Sequence, residues 1–117
     1  VDINIDVDGD GFGVNTFVRT GHVDAAKLGL AAEYLMRANR NWRVGHFELD
    51  FDYGTVSHHA FMFCGKRVPT EEDIFFHFFM GSNMMERYGN GLLKAVSGML
   101  TPQEACAEAE ADMEAET

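Results

Sequence analysis

Residues Ile74 to Met80 read IFFHFFM, six large apolar side chains around one histidine. The preceding Pro69-Thr70-Glu71-Glu72-Asp73 opens a helix. Thr70 is a good N-cap, and the three acids complement the positive end of the helix dipole. Successive helical residues are turned by about 100°. Ile74, Phe75, Phe76, Phe78, Phe79 and Met80 therefore cover most of the circumference, and such a helix must be covered on more than one side. A sheet takes one flank. The other needs a second helix of the same chain, a partner chain or a ligand. His77, among these rings, is expected to be a packed histidine rather than a catalyst.

The second helix is available in the sequence. Between Val23 and Asn39, the residues Ala25, Ala26, Leu28, Leu30, Ala31, Tyr34 and Leu35 are spaced along one helical face. Asn39 and Asn41 stand where that helix should stop, and Asn tolerates the left-handed conformation. Elsewhere the period is two. Val1, Ile3, Ile5 and Val7 alternate with Asp2, Asn4 and Asp6, and Phe12, Val14 and Thr16 resume the alternation after a turn. Phe47, Leu49 and Phe51 alternate with Glu48, Asp50 and Asp52, Tyr53-Gly54 turns the chain, and Val56 to Phe63 runs back. The Phe-rich helix is expected to end near Tyr88-Gly89, with a short apolar piece at Leu92 to Val96. Thr101-Pro102-Gln103-Glu104 then caps a last helix running to about Ala115. At 117 residues the chain is read as one domain with one core.

Charge narrows the partners. Nineteen acids against nine bases give a net charge of −10, which repels phosphate backbones and anionic membranes. No apolar run approaches the ~20 residues that span a bilayer. Cys64 and Cys106 form no CxxC pair, the sparse usage of a reducing compartment, so cytoplasm is the expected location. The chain opens at Val1 rather than Met, which leaves room for a trimmed targeting segment.

Three stretches were weighed as chemical sites. IDVDGDGFG (Ile5 to Gly13) offers Asp6, Asp8, Asp10 and Gly11 in the order of an EF-hand loop, but Phe17 stands where the bidentate Glu is required and both flanks alternate as strands. It is read as a turn. His58 and His59 are adjacent on a strand and point to opposite faces, so they cannot share one ion. His46 lies across the hairpin from one of them. That makes two imidazoles, with Cys64 at no useful spacing, where zinc asks for three or four ligands. Glu48, Asp50 and Asp52 form a carboxylate row without a nucleophile or a phosphate loop, the wet face of a sheet.

From Ala31 to Ala105 the chain resembles the YbjN family of bacterial proteins. The resemblance rests on LMRANRNWRVGHFELDF (Leu35 to Phe51), GTVSHHAFMF (Gly54 to Phe63), PTEED (Pro69 to Asp73), MERYG (Met85 to Gly89) and LTPQEA (Leu100 to Ala105). It implies an α+β fold like that of class I type III secretion chaperones: a curved antiparallel sheet of four to five strands with helices on one side. Those chaperones dimerise and bind extended segments of partner proteins. The family is associated with sensory and stress regulation, without an established enzymatic activity, and supplies no functional residues to carry over. It has a helix before its first strand, whereas this chain opens in strand pattern, so 1–117 is expected to be a single domain of this type lacking that helix. The expected function is a non-enzymatic protein-binding module, a chaperone-like or regulatory adaptor that self-associates or holds an extended segment, with no cofactor. Phe75, Phe76, Phe79, Met80, Met84 and Trp42 are its expected contact residues. The rival is a metal-binding protein or small hydrolase using His46, His58 or His59 with the acidic row.

Overall fold

The structure, a computed structural model, describes residues 2–8 and 10–115. Four strands, β1 (Asp2–Asp8), β2 (Gly11–His22), β3 (His46–Leu49) and β4 (Thr55–Gly65), form one antiparallel sheet in the order β1-β2-β4-β3. Three helices, α1 (Leu28–Asn39), α2 (Glu71–Val96) and α3 (Pro102–Ala115), pack on one face of it. The α+β architecture expected from the sequence is thus present. The Cα trace measures 48 × 39 × 19 Å. The short dimension is about that of one sheet and one helical layer, so the second face of the sheet is left open.

The pleat assigns the two faces. Val14, Thr16 and Val18 of β2, Phe47 of β3, and Val56, His58 and Ala60 of β4 are buried under the helices. Asn15, Phe17, His59, Phe61, His46 and Glu48 alternate with them and stand on the open face. Ala31, Tyr34, Leu35 and Ala38 of α1 meet Met84, Tyr88, Leu92 and Ala95 of α2 over Phe47 and Val56, and Ala105 and Cys106 of α3 close the cluster.

Several expectations are corrected. The Phe-rich helix does not end at Tyr88-Gly89; α2 continues to Val96, and the apolar piece Leu92 to Val96 is its last part. Gly91, inside this continuation, is a packing position: a Cβ there would lie 2.3 Å from the Tyr34 hydroxyl, which donates to the Tyr88 carbonyl at 2.6 Å. The first helix begins as a 3-10 turn at Ala25–Lys27, and Ala25 and Ala26 are exposed. Asn39 and Asn41 end it without left-handed backbone, since positive φ among the described residues is confined to glycines. Phe51 and Asp52 lie in the turn after β3 instead of extending it, because the Asp50 carboxylate accepts from the backbone N–H groups of Asp52 and Tyr53. Asp8 pairs with Gly11 in a β1-β2 hairpin, so the acidic loop joins two strands and is not an EF-hand; Gly9 and the side chains of Asp6 and Asp8 lie outside the described residues.

Candidate functional site

The Thr70 cap sets where α2 begins and therefore which way its rings point. The Thr70 Oγ1 accepts from the Asp73 N–H at 3.1 Å, and the Asp73 carboxylate accepts in return from the Thr70 N–H at 3.1 Å. Arg67 Nη1 also donates to that carboxylate at 3.1 Å. The inward stripe from this start is His77, Gly81, Met84, Tyr88, Gly91, Leu92 and Ala95. Gly81 brings the helix close to the sheet, because a Cβ there would lie 2.7 Å from Val18 Cγ2. His77 is buried, as expected, and its Nδ1 donates to the Asp73 carbonyl at 2.9 Å.

The outward stripe is Glu72, Phe75, Phe76, Phe79, Asn83, Glu86, Asn90 and Leu93, all exposed. Its composition changes along the helix. Beyond Phe79 it carries the polar Asn83, Glu86 and Asn90 before a single exposed Leu93, but Phe75, Phe76 and Phe79 cluster within two turns and are 57, 51 and 55% exposed. Phe75 and Phe79 stack on each other at 6.1 Å, and Phe78 meets Phe79 edge-on at 5.4 Å. α1 does not cover these rings: its buried residues meet α2 around Met84, Tyr88 and Leu92, at the other end of the helix. Half of three phenyl rings amounts to on the order of 300 Å² of contiguous apolar surface, the size at which a patch on a monomer becomes functional.

The other expected contact residues divide. Met80 is half-buried against the core, Met84 is buried, and Trp42 packs on Tyr88. Trp42 Nε1 donates to the Tyr88 hydroxyl at 2.8 Å, and that hydroxyl donates to Glu110 at 3.1 Å. Met84 is therefore part of the core, and Trp42 is partly buried against it. The sequence reading also missed that Ile3, Ile5 and Val7 are exposed. Their register partners Thr16, Val14 and Phe12 place them on the helix-bearing side of the sheet, yet no helix covers them, and Val7 is 68% exposed. The alternation was legible, but only the finished helical layer shows how far it reaches.

The open face carries a second cluster. His46 pairs with His59 across β3 and β4, and Glu48 sits two residues on from His46, on the same face. Glu48 Oε1 lies 2.9 Å from His46 Nε2 and 3.1 Å from His59 Nδ1. Burial raises the Glu48 pKa, but the hydrogen bonds from His46 and His59 outweigh it and hold the carboxyl below its usual range. His59 Nε2 lies 2.9 Å from Asn15 Oδ1, and its ring stacks on Phe17 at 4.2 Å, only 9° from parallel. The expected zinc set stopped at two imidazoles, while the rival reading joined the strand histidines to the acidic row; the register brings Glu48 of that row to His46 and His59. His58, as expected, points to the opposite face, where it is buried edge-on to Phe47 at 5.2 Å. Burial, with His46 and His59 nearby, pushes its imidazole down to about 4, so the ring is neutral. Cys64 and Cys106 are free thiols.

Compared with models of protein families, with curated proteins and with solved structures, the chain matches none.

Proposed function

We propose that this chain is a non-enzymatic protein-binding module of the YbjN type, a chaperone-like or regulatory adaptor of the cytoplasm that self-associates through the first turns of α2. One observation carries the reading: Phe75, Phe76 and Phe79 form an apolar stripe, each more than half exposed, on the first turns of a helix whose outward face is polar from Asn83 to Asn90. Leaving such a surface in water costs about 25 cal/mol per Å², and Phe and Met are the residue types of interface centres. The three rings supply over a third of the roughly 800 Å² per partner that a stable interface buries. Ile3, Ile5 and Val7 on the same side of the sheet extend the apolar area. β1 is in addition an edge strand with one side unpaired in the sheet, the element to which an extended segment adds by backbone pairing. The net charge of −10 favours a protein over a nucleic acid as partner.

Sedimentation equilibrium over a wide concentration range tests the reading. The parent is expected to be a dimer, and Phe75→Ser/Phe79→Ser a folded monomer by circular dichroism. A parent that stays monomeric at every concentration, and that captures no extended peptide, overturns it.

A further inference from the structure

We propose that His46, Glu48 and His59 form a site for a divalent transition cation of the zinc type on the open face of the sheet, with a coordination position left to solvent. The site is independent of the Phe-rich stripe, which lies on the helical side.

The first argument is convergence. A tetrahedral ion with bonds of about 2.05 Å sets neighbouring donors roughly 3.3 Å apart. One ligand atom from each residue lies within 4.8 Å of the others, with Glu48 Oε1 at 2.9 Å from His46 Nε2 and 3.1 Å from His59 Nδ1. Small side-chain rotations bring three such donors onto one ion. The strands require no adjustment, because the three residues already share one face through the β3-β4 register.

The second argument is the hold on the His59 ring. Its Nε2 lies 2.9 Å from Asn15 Oδ1, and its Nδ1 lies 3.1 Å from Glu48 Oε1 on the side of the cluster. An ion bound there would take the place of the Nδ1 hydrogen between these two atoms. The outer hydrogen bond to Asn15 and the stack on Phe17 do for this ring what second-layer partners do for metal-bound histidines: they fix its orientation.

The donor set selects the ion. Two imidazole nitrogens and one carboxylate suit zinc and its neighbours, whereas calcium and magnesium prefer six or more oxygens. Side-chain exposures of 52% for His46, 43% for Glu48 and 20% for His59 leave the cluster open on the solvent side. The adjoining hollow is lined by Phe17, Arg19, Asp50 and Ser57. Water or a small anion fills the remaining position.

The test uses the full chain purified without a histidine tag and stripped with chelator. Calorimetric titration with Zn²⁺ is expected to give one ion per chain at micromolar concentration, and Co²⁺ to give visible absorption bands at the same stoichiometry. Millimolar Mg²⁺ or Ca²⁺ should displace neither. His46→Gln and Glu48→Gln, both at exposed positions, should keep the circular dichroism of the parent and weaken Zn²⁺ binding by roughly tenfold or more. His22→Gln, outside the cluster, should leave it unchanged. Absence of saturable Zn²⁺ binding overturns the proposal, as does affinity in folded His46→Gln/Glu48→Gln within about threefold of the parent.

Discussion

Asn39 holds both backbone groups of Phe47: its Oδ1 accepts from the Phe47 N–H at 2.6 Å, and its Nδ2 donates to the Phe47 carbonyl at 3.1 Å. One side chain at the end of α1 thus stands in for the neighbouring strand that β3, an edge strand, lacks on that side. The clamp fixes the first helix against the sheet. It also fixes the frame in which His46 and Glu48, on either side of Phe47, face away from the helices.

Replacing Asn39 by Ala leaves an N–H and a carbonyl at a buried residue without partners. The expected loss is about 1–3 kcal/mol, read as a lower urea midpoint at unchanged slope. Asn39→Asp keeps the acceptor and loses the donor, so its loss should be smaller. Wild-type stability in Asn39→Ala would show that water replaces the clamp at no cost.

The two faces of α2 should respond unequally to truncation. Met84 is 2% exposed, and Met84→Ala should cost about 2–5 kcal/mol through the cavity it leaves. Phe79→Ser, at a ring more than half in water, should cost under about 1 kcal/mol in the monomer. Denaturant melts at low protein concentration measure both. A large loss in Phe79→Ser would mean that the ring supports the fold rather than a partner.

Gly91 and Tyr34 should be coupled. Gly to Ala within a helix is normally favourable by about 1 kcal/mol, but here a Cβ would meet the Tyr34 hydroxyl at 2.3 Å. Gly91→Ala is therefore expected to destabilise. Tyr34→Phe removes the closest atom and should rescue part of that loss in the double variant, although the ring carbons at 2.9 and 3.1 Å remain close. Additive single and double effects would disprove the contact.

Alkaline pH should destabilise the protein first through Cys106, and above pH 10 also through the buried Tyr34 and Tyr88 phenols, whose pKa values burial raises. Burial first, then the hydrogen bond the Cys106 thiol donates to Glu110 at 3.1 Å, push that thiol up to about 12 from an ordinary value near 9. The folded chain keeps the thiol proton that the unfolded chain releases. This contribution to stability is whole below pH 9 and lost as pH rises towards 12, at about 1.4 kcal/mol per pH unit. Urea midpoints at pH 8, 9.5 and 11 should fall accordingly, and Cys106→Ala should flatten the decline between 9 and 10. An equally steep decline in that variant would place the effect elsewhere.

Local patterns in this chain carried the secondary structure wherever one residue type has one local use. Alternating Ile and Val on β1, the Thr70 and Thr101 caps, and the helical spacing of Ala31, Tyr34 and Leu35 act within a few residues of themselves, so they are legible in order along the chain. Gly89 misled for the complementary reason. A glycine that ends a helix and one inside a continuing helix look alike along the chain, and α2 runs on to Val96 because Leu92 and Ala95 pack into the core. The same limit governs the sites. The excess of phenylalanine in IFFHFFM follows from composition and the 100° turn alone, but which three rings face water was decided by where α1 and the sheet stopped covering them. His46 and Glu48 share a face by their spacing of two on β3, but His59 joined them only through the β3-β4 register, because pairing between strands brings together residues far apart along the chain.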